Sequence, residues 1–248
     1  MAFGMVVFHY KRKILGNVGI LPIQKTQNEI IVPKIVFTRL EWDKIMVILI
    51  LSFFSIVFWM SFEQAGSSMS IFALNYTDRY ILFLDYEIPS SWFQSLNPLF
   101  IMIFAPLISI LWVDLAKRGR NISNPYKFSL ALLLAGLGFV ILGLGSIGIS
   151  QGEASAGVSF WFLVFCYLFQ TIGELCLSPI GLSSVNKLAP PRIFSLMFGI
   201  WFLATGLGNY ISGALGGLIN KISSEHSLSY FFITTAIVTV GAAAIMFI

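Results

Sequence analysis

The sequence predicts an all-α integral membrane protein of six spans. Three observations lead there. Six apolar segments each reach the ~20 residues needed to cross a bilayer. Only 10% of the 248 residues are charged, against about 25% in soluble domains. Thirteen of the fifteen lysines and arginines alternate onto one side of those segments, as the positive-inside rule requires.

The elements follow in order. Residues 1–10 are apolar and precede Lys11-Arg12-Lys13. A signal peptide carries its charge before its apolar core, so this order reads as the end of a preceding membrane helix. Residues 11–44 form a basic, polar cytoplasmic linker, with an amphipathic stretch around Val32 to Leu40. Residues 45–248 form the six-helix domain, with spans expected near 45–74, 92–115, 127–149, 158–186, 193–219 and 228–248.

Orientation comes from the loops. The linker holds Lys11, Arg12, Lys13, Lys25, Lys34, Arg39 and Lys44. The loop after span two holds Lys117, Arg118, Arg120 and Lys127, and the loop after span four holds Lys187 and Arg192. The opposite loops carry Arg79 and Lys221 among Asp78, Asp85, Glu87, Glu153 and Glu225. The linker and the carboxyl end are therefore expected in the cytoplasm. A bacterial inner membrane is the expected location.

Breakers interrupt several spans. Pro98 and Pro106 fall in span two, and Pro179 and Gly181 in span four. Proline removes a backbone hydrogen bond and kinks a helix. Gly199, Gly206, Gly208, Gly213, Gly216 and Gly217 stud span five, where small residues allow close helix approach.

Two acids lie deep in apolar segments, Glu63 in span one and Glu174 in span four. An acidic residue at a membrane-helix centre costs roughly 2.5–3.5 kcal/mol to insert and marks a functional-site hypothesis. Each has a serine four residues later, Ser67 and Ser178, on helices of opposite direction. This is a weak inverted repeat of three helices plus three. Trp59, Glu63 and Ser67 are expected along one helical face. Asn97 beside Pro98, with Trp201 and Asn209 on span five, completes a candidate cavity of carboxylates, amides, hydroxyls and indole walls. A carboxylate there can bind an ammonium group or carry a proton.

Other chemistry is excluded. Cys166 and Cys176 are ten residues apart on one helix, about 15 Å, too far for a disulfide. Neither His9 nor His226 lies mid-span or in a ligand cluster, so neither a metal site nor an intramembrane hydrolase is expected. No basic face with interleaved aromatics suits nucleic acid.

Four runs carry a resemblance. Phe58-Trp59-Met60-Ser61-Phe62-Glu63-Gln64-Ala65-Gly66-Ser67-Ser68 resembles the seventh helix of proton-dependent oligopeptide transporters, within the major facilitator superfamily. Trp92-Phe93-Gln94-Ser95-Leu96-Asn97-Pro98-Leu99-Phe100 is similar to the eighth. Gly173-Glu174-Leu175-Cys176-Leu177-Ser178-Pro179-Ile180-Gly181-Leu182-Ser183, followed by Lys187-Leu188-Ala189-Pro190, resembles the tenth. Met197-Phe198-Gly199-Ile200-Trp201-Phe202-Leu203 resembles the eleventh.

The resemblance implies a carboxyl-terminal six-helix bundle, equivalent to helices seven to twelve and preceded by the end of helix six. It implies that Glu174 binds a peptide's amino terminus with help from Asn97. Glu63 would serve proton coupling and gating, and Trp59, Trp201 and Ser178 would line the pocket. Asp114 to Arg120 resembles the cytoplasmic loop that braces the inward side of major facilitator proteins. The implied partners are di- or tripeptides, protons, the bilayer and a missing amino-terminal half. No cofactor is expected beyond the proton gradient. The first-helix Glu-x-x-Glu-Arg motif is not found here. The alternatives are a truncated, non-transporting fragment, or a relative that carries another small solute such as nitrate.

Overall fold

The computed structural model describes residues 37–81, 85–120, 122–150 and 156–247. The expected helix end at 1–10 and most of the linker at 11–44 lie outside these residues.

Thr38 starts the first helix, α1 (Arg39–Phe62), with a capping box. Its hydroxyl accepts from the Glu41 N–H at 3.2 Å, and the Glu41 carboxylate accepts from the Thr38 N–H at 2.9 Å. Two otherwise unpaired donors are thereby satisfied. The helix begins six residues before the expected start of span one.

Span one then breaks. A 3-10 turn at Glu63–Gly66 separates α1 from α2 (Ser68–Asn75), and Ser67 between them sits at φ −123°, ψ −98°. The break is built by side chains. Gln64 is fully buried; its carbonyl accepts from Ser68 at 2.5 Å and Ser67 at 3.2 Å. The Ala65 carbonyl accepts from Ser70 at 2.8 Å and from the Tyr167 hydroxyl at 3.4 Å. Polar groups freed by the break are thus paired inside the protein, as a lipid setting demands.

Outside the spans, two short ladders form. β1 (Thr77–Asp78) pairs in parallel with β4 (Val158–Ser159), and β2 (Tyr80–Ile81) pairs antiparallel with β3 (Tyr86–Glu87). Arg79 closes the hairpin. It meets Glu87 at 2.6 Å and donates to the Ile88 carbonyl at 2.7 Å.

A 3-10 segment at Ser90–Ser95 leads into α3 (Leu96–Lys117). Pro98 therefore stands in the first turn, where its missing N–H costs nothing. The expectation that Pro98 interrupts span two is corrected; Pro106 is the proline inside the helix. The carboxyl end closes with a Schellman arrangement. Gly119 adopts φ +74°, Arg120 N–H donates to the Leu115 carbonyl at 2.9 Å, and Gly119 N–H donates to Ala116 at 3.1 Å. The left-handed conformation at that position suits glycine. No side chain of α3 is fully buried.

The remaining helices are α4 (Asn124–Gly145), α5 (Trp161–Leu188), α6 (Phe194–Glu225) and α7 (Leu228–Phe247). Pro125 fits the start of α4, and Pro190 with Pro191 ends α5. The longest contacts join α4 with α5 and α7, while α6 lies along α1 and α3 rests on α5. Among the described residues, six helical stretches are long and apolar enough to cross a membrane, which matches the expected number.

Close approach depends on small residues. A Cβ on Gly173 of α5 would stand 2.8 Å from the Ala131 carbonyl of α4. On Gly208 of α6 it would stand 2.9 Å from the Ile56 carbonyl of α1. Side-chain bonds add to the packing. Ser61 and Thr239 hydroxyls meet at 2.6 Å between α1 and α7, Ser129 donates to the Ala243 carbonyl at 2.8 Å, and Asn124 donates to Ser184 at 2.7 Å.

Candidate functional site

Glu174 occupies the middle of α5, and Asn97 lies in the first turn of α3. The two helices bring them together. The Asn97 amide donates to the Glu174 carboxylate at 3.0 Å and to the Thr171 hydroxyl at 3.1 Å. Thr171 in turn donates to the Tyr167 carbonyl at 2.7 Å. Both hydrogens of the one amide nitrogen are thereby used, which fixes the side chain's orientation. Reversing it would set an amide oxygen against the carboxylate.

An ionised carboxylate offers about four acceptor positions, and Asn97 fills one. Glu174 is half-buried, not sealed. It keeps room to accept from a ligand cation. A hydrogen bond to a charged group contributes about 1.5–3 kcal/mol, so the Asn97 contact is a strong element of the pair.

Glu63 stands at the start of the 3-10 turn, half-buried, and its carboxylate has no hydrogen-bond partner among the described residues. It lies within electrostatic range of Glu174. The structure thus brings Asn97, Glu174 and Glu63 into one region from three different helical segments.

The other expected residues divide. Ser178 follows Glu174 by one turn; its hydroxyl oxygen is buried and has no partner among the described residues. The Trp59 indole nitrogen is also buried and unpartnered. Its ring packs with Phe58 at 5.6 Å and Phe62 at 5.4 Å, and its Cβ faces Gly208 of α6. Unpaired buried polar groups cost about 1–3 kcal/mol each, and such groups in a native fold call for an explanation.

Trp201 sits differently from the open wall expected of it. It is 4% exposed, edge-on to Phe128 at 6.2 Å, and fills the space left by Gly181. Asn209 is exposed on α6. The expectation that Ser67 lines up with Trp59 and Glu63 is also corrected. The 3-10 break turns Ser67 toward α6, where it packs on Gly216 and reaches Ser212.

Sequence reading missed Thr171 and Gln64. Thr171 lies three residues before Glu174, a spacing that places both on one helix face. Gln64 gave no such signal, because its role arises from the break itself.

Residues 11–236 match the POT family. The chain belongs to the POT family. It is 38% identical over 209 residues to a peptide transporter of Yersinia enterocolitica subsp. palearctica, covering 84% of this chain and 40% of that protein. It is 33% identical over 171 residues to dipeptide and tripeptide permease B of Aeromonas hydrophila, covering 69% of this chain and 33% of that protein. The chain therefore spans less than half the length of these relatives.

Solved structures agree. A POT family transporter in complex with 5-aminolevulinic acid superimposes with TM-score 0.72 at 31% identity, over 85% of this chain and 42% of the other. A peptide transporter POT in complex with sulfate gives TM-score 0.74 at 30% identity, over all of this chain and 51% of the other. As a POT-family chain with six helices long and apolar enough to span among the described residues, this is a multi-pass membrane protein of the transporter type, in which the Asn97–Glu174 pair joins the spans that carried the eighth- and tenth-helix resemblance.

Proposed function

We propose that the chain is the carboxyl-terminal half of a proton-coupled di-/tripeptide symporter that imports peptides by alternating access. The observation that carries this reading is the Asn97–Glu174 bond across α3 and α5. It holds a carboxylate in place with acceptor positions to spare, which suits the ammonium end of a peptide. Glu63, close by and without a hydrogen-bond partner, is the candidate proton carrier. Trp59 and Ser178 supply the buried donors around them, and Trp201 supports the site from behind.

Two neighbouring carboxylates make a poor receptor for nitrate, so the cationic amino terminus is favoured over an anion. The partner is an amino-terminal half that closes the cavity. The driving force is the proton gradient, with no cofactor. The basic loops face the cytoplasm of a bacterial inner membrane, and so does the carboxyl end.

The test is uptake of labelled dialanine in cells lacking their own peptide transporters, with and without an imposed proton gradient. The chain is expressed alone and together with an amino-terminal half from its own locus or a close relative. Gradient-dependent uptake is expected in the pair, and Glu174→Gln in that pair should abolish it. Unchanged affinity and uptake in Glu174→Gln would refute the amino-terminus role. Absence of uptake from a pair that reaches the membrane would favour the non-transporting fragment.

A further inference from the structure

Thr171 lies on α5, one turn before Glu174, and is fully buried. A ligand does not reach it there, yet it is bonded to the site through Asn97. Its hydroxyl proton is committed to the Tyr167 carbonyl at 2.7 Å, the bond to the preceding turn that threonine makes inside helices. A hydroxyl has one proton and two lone pairs. Toward Asn97 the oxygen can therefore only accept, and it accepts from the amide nitrogen at 3.1 Å.

This contact orients the amide independently of Glu174. The carboxylate also selects the nitrogen end of Asn97, at 3.0 Å, but only while it is ionised and turned toward the amide. A ligand ammonium draws on the same oxygens, and a proton on them lets the carboxyl group donate as well as accept. In either case Glu174 no longer decides which end of the amide faces it. Thr171 has no such second state, because its proton stays with Tyr167. Thr205 and Thr235 make the same bond to their own helices, at the Trp201 and Phe231 carbonyls, and neither hydroxyl accepts from a side chain among the described residues. The backbone bond alone therefore does not account for the contact with Asn97. With its nitrogen held twice, the Asn97 amide keeps its oxygen available: that oxygen accepts from no described residue and is not enclosed.

We infer that Thr171 is a positioning residue for the ammonium site, and that its hydroxyl oxygen keeps the Asn97 nitrogen toward Glu174 while that carboxylate binds its ligand. The inference rests on the proposed function of the Asn97–Glu174 pair. With the hydroxyl in place, an incoming ammonium meets acceptors and not the hydrogens of the amide. Without it, the amide is free to turn whenever Glu174 engages a cation, and one of its N–H groups loses its partner in a half-buried setting.

The test is gradient-driven dialanine uptake by the chain paired with an amino-terminal half, compared at equal amounts in the membrane. Thr171→Val keeps the branched shape and removes the hydroxyl. It should raise KM roughly two- to tenfold, the effect of one neutral hydrogen bond, and leave the maximal rate unchanged. Thr171→Ser, which keeps the hydroxyl, should restore the parental KM. On an Asn97→Ala background, Thr171→Val should change KM by less than about twofold, because residues that act through one contact are not additive. Thr171→Ala removes the same hydroxyl and should raise KM likewise, so it reads the loss if the valine variant does not reach the membrane. An unchanged KM in Thr171→Val and Thr171→Ala would overturn the role. So would a serine variant as weak as the valine one, or an equal rise in KM on the Asn97→Ala background. Normal uptake by Thr171→Val beside impaired uptake by Asn97→Ala would overturn this role alone; no uptake from a parental pair that reaches the membrane would overturn it together with the proposed function.

Discussion

Gly173→Ala should destabilise the bundle, whereas Gly199→Ala should not. Both glycines are inside helices. The new methyl at 173 would stand 2.8 Å from the Ala131 carbonyl oxygen and 3.4 Å from the Phe58 ring. The first neighbour is backbone of a packed helix and cannot rotate away, so α4 and α5 must separate. Overpacking of this kind costs about 1–3 kcal/mol. At 199 nothing lies within 4 Å, and alanine gains up to about 1 kcal/mol in helix propensity. The unfolding constant should therefore rise roughly five- to 150-fold for Gly173→Ala, and stay level or fall for Gly199→Ala. Denaturant unfolding of the purified chain in detergent, followed by helical circular dichroism, reads both. Equal stability of the two variants would refute the reasoning, because it would mean that α4 and α5 do not approach through Gly173.

Further outcomes follow from the same geometry. In the assembled transporter, Asn97→Ala should weaken dialanine affinity by about tenfold or more, since a bond to a charged group is worth 1.5–3 kcal/mol; an unchanged KM for uptake would sink this. Glu63→Gln should remove uptake driven by the proton gradient while leaving exchange of labelled for unlabelled dialanine, measured in proteoliposomes; loss of both would place Glu63 in the binding step instead. A double-mutant cycle of Ser61→Ala with Thr239→Val should give a coupling of only about 0.6 kcal/mol, because one of the two hydroxyls donates to the other and each has its own helix carbonyl, of Val57 or Thr235, as an alternative acceptor for its single proton; a coupling above about 2 kcal/mol would contradict that.

Much of the fold was legible because length and hydropathy alone specify a spanning helix. The six spans emerged where expected; the meeting of Asn97 and Glu174 on spans two and four was implied by the resemblance and not by hydropathy. Boundaries were less legible. The Thr38–Glu41 box lengthens α1 and can be read from the residues, but apolar periodicity gives no hint of it. The break at Glu63–Gly66 could not be read from four-residue spacing, because spacing assumes the helix it is used to predict. Once Gln64 takes the Ser67 and Ser68 hydroxyls, Ser67 leaves the face it would share with Glu63. Trp201 was misplaced for a related reason. Whether an indole lines a cavity or enters a core depends on what faces it, here Gly181 on another helix. The two-residue ladders in the loops are too short to leave any alternation in the sequence.

The accessible helix α3 has a consequence for motion. With no side chain fully buried, it packs on the bundle through Leu96, Phe100 and Trp112 and has polar fastenings at two points. One is Asn97 near its beginning; the other is Trp112 beneath Lys127 near its end. Its first fastening is also the amide that grips Glu174. A ligand cation that drew Glu174 away would loosen one end of the rod, while the Trp112 end stayed fixed. In the proposed transporter, occupancy would then be converted into a swing of α3 about its Trp112 end, with the Asn97 amide as the latch.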